Sequence, residues 1–401
     1  MACIMENTLN YSATVILSLA LILFAGFMIT RVTKRLHLPD VTGYIVVGVL
    51  IGPDLLHLVP EYVIEGMDFV TDIAIAYIAF GVGKYFKMSH VRKNIRTVCI
   101  ITLFESLTAA VLITVVMIAV FHLPVPFALL LGAIASATAP ASTIMTIHQY
   151  HARGEFVDTI LQVIALDNAA ALIAFSICAA IAGNMENGTA AMDWKAILIP
   201  VIYIILAVLL GAFCGFSLKW IISDRRTKDH RLILINAVIF GLAGICTLVD
   251  VSPLLPCMAM GTVYVNIITN KDLFKQVNHF TPPIMLMFFV LSGMKLDVPM
   301  LASAGIIGIC YFLVRIIGKF AGVFAGSLCS RAPVPVKKYL GLALIPQAGV
   351  AIGLAALGQR ILPADMGAML SVIILSSSIL YELFGPACAK ASLLLSGSTA
   401  K

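Results

Sequence analysis

The sequence predicts an all-α polytopic membrane protein of about thirteen transmembrane helices, and three observations predict it. First, 61% of the 401 residues are apolar and 11% are charged, with a mean hydropathy of +1.05, whereas a soluble domain carries about 25% charged residues. Second, the apolar residues are gathered into runs of the length that crosses a hydrocarbon core, about 20 residues. Third, the loops between those runs alternate between basic and non-basic, as the cytoplasmic preference of Lys and Arg requires. Nucleic-acid binding, a secreted disulfide scaffold and an ordinary cytosolic enzyme are excluded as first readings. The net charge of +6 is then an orientation signal and says little about substrate.

The runs fall at 12–30, 39–56, 69–86, 98–121, 126–150, 155–182, 194–222, 232–250, 253–269, 281–297, 300–329, 337–358 and 365–392, separated by charged or Pro/Gly-containing turns. Taken in order, the first ends on Arg31, Lys34 and Arg35. The third ends on Lys84 and Lys87, and the fourth follows Arg92, Lys93 and Arg96. Arg153 divides the fifth from the sixth. Lys219, Arg225, Arg226, Lys228 and Arg231 divide the seventh from the eighth. Lys271 and Lys275 follow the ninth, Arg331, Lys337 and Lys338 separate the eleventh from the twelfth, and Lys390 and Lys401 lie in the tail. All 21 fall on one side of a thirteen-span chain. The other side receives Lys195, Lys295 and Arg360 and carries Asp54, Glu61, Glu65, Asp68, Glu186 and Asp193. The expected orientation is N-terminus outside and C-terminus cytoplasmic.

No soluble domain, removable signal peptide or cofactor is expected. The nine cysteines, Cys3 among them, read as small packing residues, because none form a Cys-x-x-Cys pair or stand at metal-ligand spacing with a His. A chain that acts wholly within the membrane points to a transporter or channel.

Ionisable residues at bilayer depth are costly and mark sites. Asp167 in LQVIALDNAAALIAF is flanked by apolar helix on both sides. The plainer reading is a helix-packing Asp, a role that Asn168 beside it fills without a charge. Arg315 and Lys319 in YFLVRIIGKFAG are four residues apart and share a helix face. A buried Arg needs an acidic partner; Asp167 is the first candidate on depth, and Glu105 in TLFESLTAA is the second. Lys319 has the alternative of snorkelling to the cytoplasmic surface, and Glu105 that of a structural counter-charge. Asp72, Lys295 and Glu382 are expected near span ends, where the interface accounts for them.

Two spans carry a helix-breaking proline near the middle, Pro140 in GAIASATAPASTIMT and Pro346 in LGLALIPQAGVAIGL. Such a proline frees backbone groups, which membranes tolerate only where they face protein or a water-filled cavity. Ser136, Thr138, Ser142 and Thr143 beside the first break, and Gln347 beside the second, offer oxygen ligands suited to a hard monovalent cation. A simple kink is the alternative at each. The breaks lie in the fifth and twelfth spans, so spans four to six and eleven to thirteen have opposite orientation. Broken helices at matching positions of inverted repeats mark a midplane binding site.

These residues resemble the monovalent cation:proton antiporters, the sodium/proton exchanger type, over most of the chain. TGYIVVGVLIGP, with Gly43, Gly48 and Gly52, is similar to the family's second span, and ASATAPAS resembles its first crossing helix, with Ala139 where many members carry Asp. FFVLSGMKLD, RIIGKFAG and KKYLGLALIPQAGVAIGL resemble its later spans in order and spacing. The resemblance implies two crossing broken helices, a homodimer and the exchange of Na⁺ or K⁺ for H⁺ by alternating access. It further implies a multi-pass protein of a bacterial inner membrane that contacts lipid, acts in pH homeostasis and has no nucleic-acid partner.

On the same resemblance, residues 1–97 form scaffold and dimer spans, 98–182 the first half of a mobile core, 183–280 further scaffold, 281–299 a linking span and 300–401 the second half of the core. Members usually carry Asp-Asp, Asn-Asp or Gln-Asp where this chain has Asp167-Asn168, so the carboxylate stands at the first position. The expected ion and proton site is Asp167 as the monovalent-cation ligand, with Asn168, Thr138 and Ser142, and with Arg315 or Lys319 as basic partner. Two other readings stay open: carriage of a small anion by the same fold, and a gated or transport-inactive ion sensor.

Overall fold

In lipid the backbone must satisfy its own hydrogen bonds, and a helix does so within one segment. Every described element is accordingly a helix. The computed structural model describes residues 11–36, 38–84, 86–187, 194–222, 227–249, 251–268, 272–295 and 305–399. Of the residues named above, Cys3, Asp193, Arg225, Arg226, Lys271 and Lys401 lie outside the described residues.

In chain order the helices are α1 Tyr11–Leu36, α2 Asp40–Ile51, α3 Glu61–Gly66, α4 Asp68–Gly83, α5 Met88–Ala119, α6 Val125–Ser136, α7 Pro140–Gln149 and α8 Glu155–Asn187. They continue as α9 Trp194–Ile221, α10 Lys228–Leu248, α11 Leu254–Ile267, α12 Asp272–Met294, α13 Gly305–Cys329, α14 Val334–Ala343, α15 Gly349–Gln359 and α16 Ala364–Leu395. Among the described residues, nine helical stretches are long and apolar enough to cross a membrane, the α6–α7 pair counted as one. The other four expected spans are met by the shorter helices α2, α4 and α11 and the broken pair α14–α15. Helix ends overshoot the apolar runs: α12 begins at Asp272 rather than near 281, and α5 begins at Met88 rather than near 98. Polar turns outside the hydrocarbon carry no hydropathy signal yet continue the same hydrogen-bond ladder.

Local chemistry sets the ends. Lys34 and Arg35 occupy the last turn of α1, and Glu155 and Asp158 the first turn of α8, each charge opposing the helix dipole. Thr227 caps α10 by accepting from the His230 amide at 3.3 Å.

Burial separates lipid-facing from central helices. Only 17% of the apolar window of α1 is buried, against 89% for the α6–α7 stretch. The broken pair is therefore the centre of the protein. It sits in an apolar cluster that includes Ile113, Phe127, Ile134, Ala171, Tyr311, Ile345 and Ile373, drawn from α5, α6, α8, α13, α16 and the segment between α14 and α15. A separate cluster, with Tyr77, Phe80, Ile239, Cys257, Tyr264 and Phe274, joins α4, α10, α11 and α12.

Close helix contact depends on glycine at several seams, α2–α12 and α5–α13 among them. A Cβ on Gly48 of α2 would strike Val290 O and the Gly293 backbone of α12. On α13, Gly318, Gly322 and Gly326 recur every four residues and lie against Ala109, Glu105 and Ile101 of α5. That seam brings two backbones together without intervening side chains. It fixes α5 against the helix that carries Arg315 and Lys319.

Candidate functional site

The sequence explains the first break directly. Residues before proline avoid the α region; Ala137 and Ala139 are extended, α6 stops at Ser136, and Pro140 starts α7 where a missing N–H costs nothing. The second break spans the residues between Ala343 and Gly349, with Pro346 at its middle. The two breaks cross in contact: Ala139 N donates to Pro346 O at 2.8 Å, Gln347 Nε2 to Ile134 O at 2.8 Å, and Thr143 Oγ1 to Ala343 O at 2.9 Å.

Each break frees carbonyls at a helix C-terminus, and α13 supplies their donors. Arg315 Nε donates to Ala135 O at 2.8 Å, Nη2 to Ala137 O at 2.6 Å and Nη1 to Ile345 O at 2.7 Å. Its guanidinium also lies 4.6 Å from the ring centroid of Tyr381, whose hydroxyl donates to Phe312 O at 3.0 Å. Arg315 was expected to need an acidic partner. The structure corrects this: the carbonyl ends of α6 and α14, each worth roughly half a negative charge, receive the guanidinium instead. A planar fork with donors on all three nitrogens suits that task better than a point charge.

Lys319 takes the carboxylates. Its Nζ lies 2.6 Å from Glu105 Oε2 and 3.0 Å from Asp167 Oδ2, and also donates to Thr138 Oγ1 at 3.0 Å and to Ser136 O. All three ionisable side chains are 0% exposed, so Lys319 does not snorkel. Four oxygens, two of them from carboxylates, thus surround Nζ. Asp167 is held further by Ser106 Oγ, which donates to Oδ1 at 2.6 Å. The same hydroxyl is 3.5 Å from Glu105 Oε1, so its single proton goes to Asp167.

Asn168, one residue and about 100° further round α8, faces elsewhere. Its Nδ2 donates to Ile164 O at 3.0 Å and its Oδ1 has no partner among the described residues. It lines a narrow cleft between α7 and α8 on one side and α4 and α11 on the other, with Pro140, Ile144, Ala79, Val82 and Met258. Ser142 Oγ, fully buried, also has no partner among the described residues.

The structure thus brings Asp167, Glu105, Thr138 and Lys319 into one cluster, sets Arg315 at the crossing beside it, and leaves Asn168 at the cleft. Gln347 is a strut, bonded to Ile134 O and accepting from Tyr311 at 3.1 Å. Ser106, Tyr311 and Tyr381 were missed in the sequence; the adjacency of Ser106 to Glu105 and the i, i+4 spacing of Tyr311 to Arg315 were the available signals. Glu382 was expected near a span end, and is instead 5% exposed inside α16, because the helices packed on α16 cover it and side-to-side packing leaves no trace in hydropathy. Asp72 is half-buried and accepts from Thr247 Oγ1, and Lys295 is exposed and paired with Asp68.

A multi-pass helical protein whose two broken helices cross around buried carboxylates and cations is a membrane transporter, not an enzyme. Residues 14–384 match the family described as sodium/hydrogen exchanger, transmembrane, and the chain belongs to that family. It is 23% identical over 300 residues to the probable Na⁺/H⁺ antiporter 2 of Methanocaldococcus jannaschii, covering 70% of this chain and 69% of that one. It is 22% identical over 413 residues to the high-affinity Na⁺/H⁺ antiporter NhaS3 of Synechocystis, covering 92% and 88%. The fold is like that of the sodium proton antiporter MjNhaP1 from M. jannaschii. One structure of it, at pH 8, gives a TM-score of 0.67 at 21% identity over 95% of both chains. Another, from electron microscopy, gives 0.74 at 19% identity over 98% and 100%.

Proposed function

We propose that this protein exchanges a monovalent cation, Na⁺ first and K⁺ as the alternative, for H⁺ by alternating access, using the Lys319 cluster as the exchange site. One observation carries the reading: Glu105 and Asp167 share the single ammonium of Lys319 where the two breaks cross. Two carboxylates and one ammonium leave one negative charge over, and Arg315 is already engaged by the carbonyl ends. A charge at that depth is costly. Either a proton or a monovalent cation relieves it, and the arrival of one displaces the other. Exchange follows from that mutual exclusion, since the cluster crosses the barrier readily only when one of them is bound.

Asn168 Oδ1 at the cleft and the buried Ser142 Oγ, both without a partner among the described residues, suit the dehydrating first contacts of an arriving cation. Residues 98–182 and 300–401 form the moving core in this reading, because they supply both breaks and the whole cluster. Residues 1–97 and 183–280 form the scaffold, which contributes the facing wall of the cleft through α4 and α11, and 281–299 links the two. The uneven distribution of Lys and Arg supports an outside N-terminus and a cytoplasmic C-terminus, and family resemblance supports a homodimer in a bacterial inner membrane. An anion carrier would need an unengaged cation at the crossing, and both Arg315 and Lys319 are occupied.

The test is a proteoliposome with an imposed pH gradient and a pH-sensitive dye, to which Na⁺, Li⁺ or K⁺ is added. Cation-dependent collapse of the gradient that disappears with Asp167→Asn is expected. A folded protein that responds to no cation, or an Asp167→Asn variant that exchanges normally, would overturn the reading.

A further inference from the structure

Glu382 lies outside the cluster just described. It is 5% exposed within α16, and its Oε2 has no hydrogen-bond partner among the described residues. Ser378, one turn earlier on the same face, is 1% exposed and its Oγ also has no partner among the described residues. Gly385, three residues on, lies against Pro346, which places Glu382 within a turn of the unwound segment of the second broken helix.

The helices packed on α16 are α2, α6, α7, α13, α14 and α15, and among the described residues no charged group on them is paired with Glu382, while Tyr311 of α13 donates to Gln347 and α2 and α14 also carry Tyr44 and Tyr339. Arg315 and Lys319 of α13 serve the crossing and the cluster. Lys337 and Lys338 of α14 line an outer groove with Phe320 and Phe324. His148 sits in the last turn of α7, and Asp40 of α2 accepts from Thr33 at 2.8 Å. Neither α6 nor α15 carries a charged side chain. On α16 itself Asp365 is in the first turn and Lys390 lies over the Tyr150 ring. Among the described residues no ion pair reaches Glu382.

A buried carboxylate without a counter-charge is intolerable at membrane depth, whereas the neutral acid needs only an acceptor for its O–H. We propose that Glu382 is a second membrane-embedded proton-binding site, separate from the Lys319 cluster, at which the carboxyl is carried as the acid, with the Ser378 hydroxyl one turn away on the same helix face, and is opened to proton release by movement at the crossing. The proton is bound at the carboxyl oxygen and leaves as H⁺, so no further reactant is needed. The inference holds whether or not the cluster exchanges Na⁺.

The experiment is acid-minus-alkaline infrared difference spectroscopy of the full chain in lipid without Na⁺, with a parallel proton titration. Wild type and Asp167→Asn should both show a carboxylic C=O band that Glu382→Gln loses, and Glu382→Gln should take up a single proton fewer per chain. Glu382→Asp, which keeps the acid if the amide disturbs folding, should shift the band rather than remove it. A spectrum and titration unchanged by Glu382→Gln would overturn the proposal, as would a band already lost in Asp167→Asn or unmoved in folded Glu382→Asp. Loss of exchange in Asp167→Asn with an unaltered Glu382→Gln spectrum would keep the antiport reading and discard this one.

Discussion

The Lys319 ammonium lies 3.0 Å from Asp167 Oδ2 with both side chains completely buried, and Asp167 is thereby turned away from the cleft that Asn168 lines. Adjacent residues on one helix so divide two tasks. Asp167 joins a charge cluster that α5 and α13 complete, and Asn168 lines the cleft, where the exchange we propose has its Oδ1 meet the arriving ion.

Asp167→Asn should abolish cation-dependent proton movement while leaving the fold intact, because Glu105 still pairs with Lys319. Without the carboxylate the proton and the cation no longer compete for one charge, so exchange should fall by at least about a hundredfold, equivalent to about 2.8 kcal/mol. The dye assay in proteoliposomes measures it, with size-exclusion elution as the control for folding.

Lys319→Met should be worse for stability than Asp167→Asn. It leaves two buried carboxylates facing each other without the ammonium, at a cost of about 3–5 kcal/mol. Thermal unfolding in detergent should show a clearly lowered midpoint, partly restored by adding Glu105→Gln; additive losses in the double variant would contradict shared use of the ammonium.

Arg315→Lys keeps the charge but reaches fewer of the three carbonyls now bonded at Ala135, Ala137 and Ile345. With charged hydrogen bonds worth about 1.5–3 kcal/mol each, a loss of about 2–5 kcal/mol is expected. A Lys variant as stable as wild type would mean that charge alone, not the fork, joins the breaks.

Asn168→Ala should raise the cation concentration for half-maximal exchange by about tenfold, the equivalent of one hydrogen-bond-sized contact of about 1.4 kcal/mol, with little change in thermal stability because Oδ1 bonds nothing within the described residues and Nδ2 bonds only Ile164 O, a carbonyl one turn back on the same helix. An unchanged half-saturation would remove Asn168 from the ion path.

Gly322→Ala should force α5 and α13 apart, since a Cβ there meets the Glu105 and Phe104 backbone. A cost of about 1–3 kcal/mol is expected for such overpacking, together with slowed exchange as Glu105 moves from Lys319. Gly241→Ala, where a Cβ meets nothing within 4 Å, is the control and should be neutral or mildly stabilising. Thermal midpoints of the pair decide it.

Much of this protein was legible in its sequence because a bilayer is a simple solvent. Span count followed from hydropathy, since every apolar run had to become a helix of known length, and the breaks at Pro140 and Pro346 followed from proline geometry. The buried charges announced themselves by their cost, so Asp167, Glu105, Arg315 and Lys319 were all found. What the sequence left open was who meets whom. Arg315 and Lys319 share one helix face and looked interchangeable, yet one binds carbonyls and the other carboxylates, because their one-turn offset places the fork at the two helix ends and the ammonium beside α5 and α8. Glu382 looked close to a span end, yet the helices packed on α16 bury it. Composition and local sterics act within a segment and are read from the chain alone; pairing acts between segments, and only the packing of α5, α8 and α13 around the crossed helices decided it.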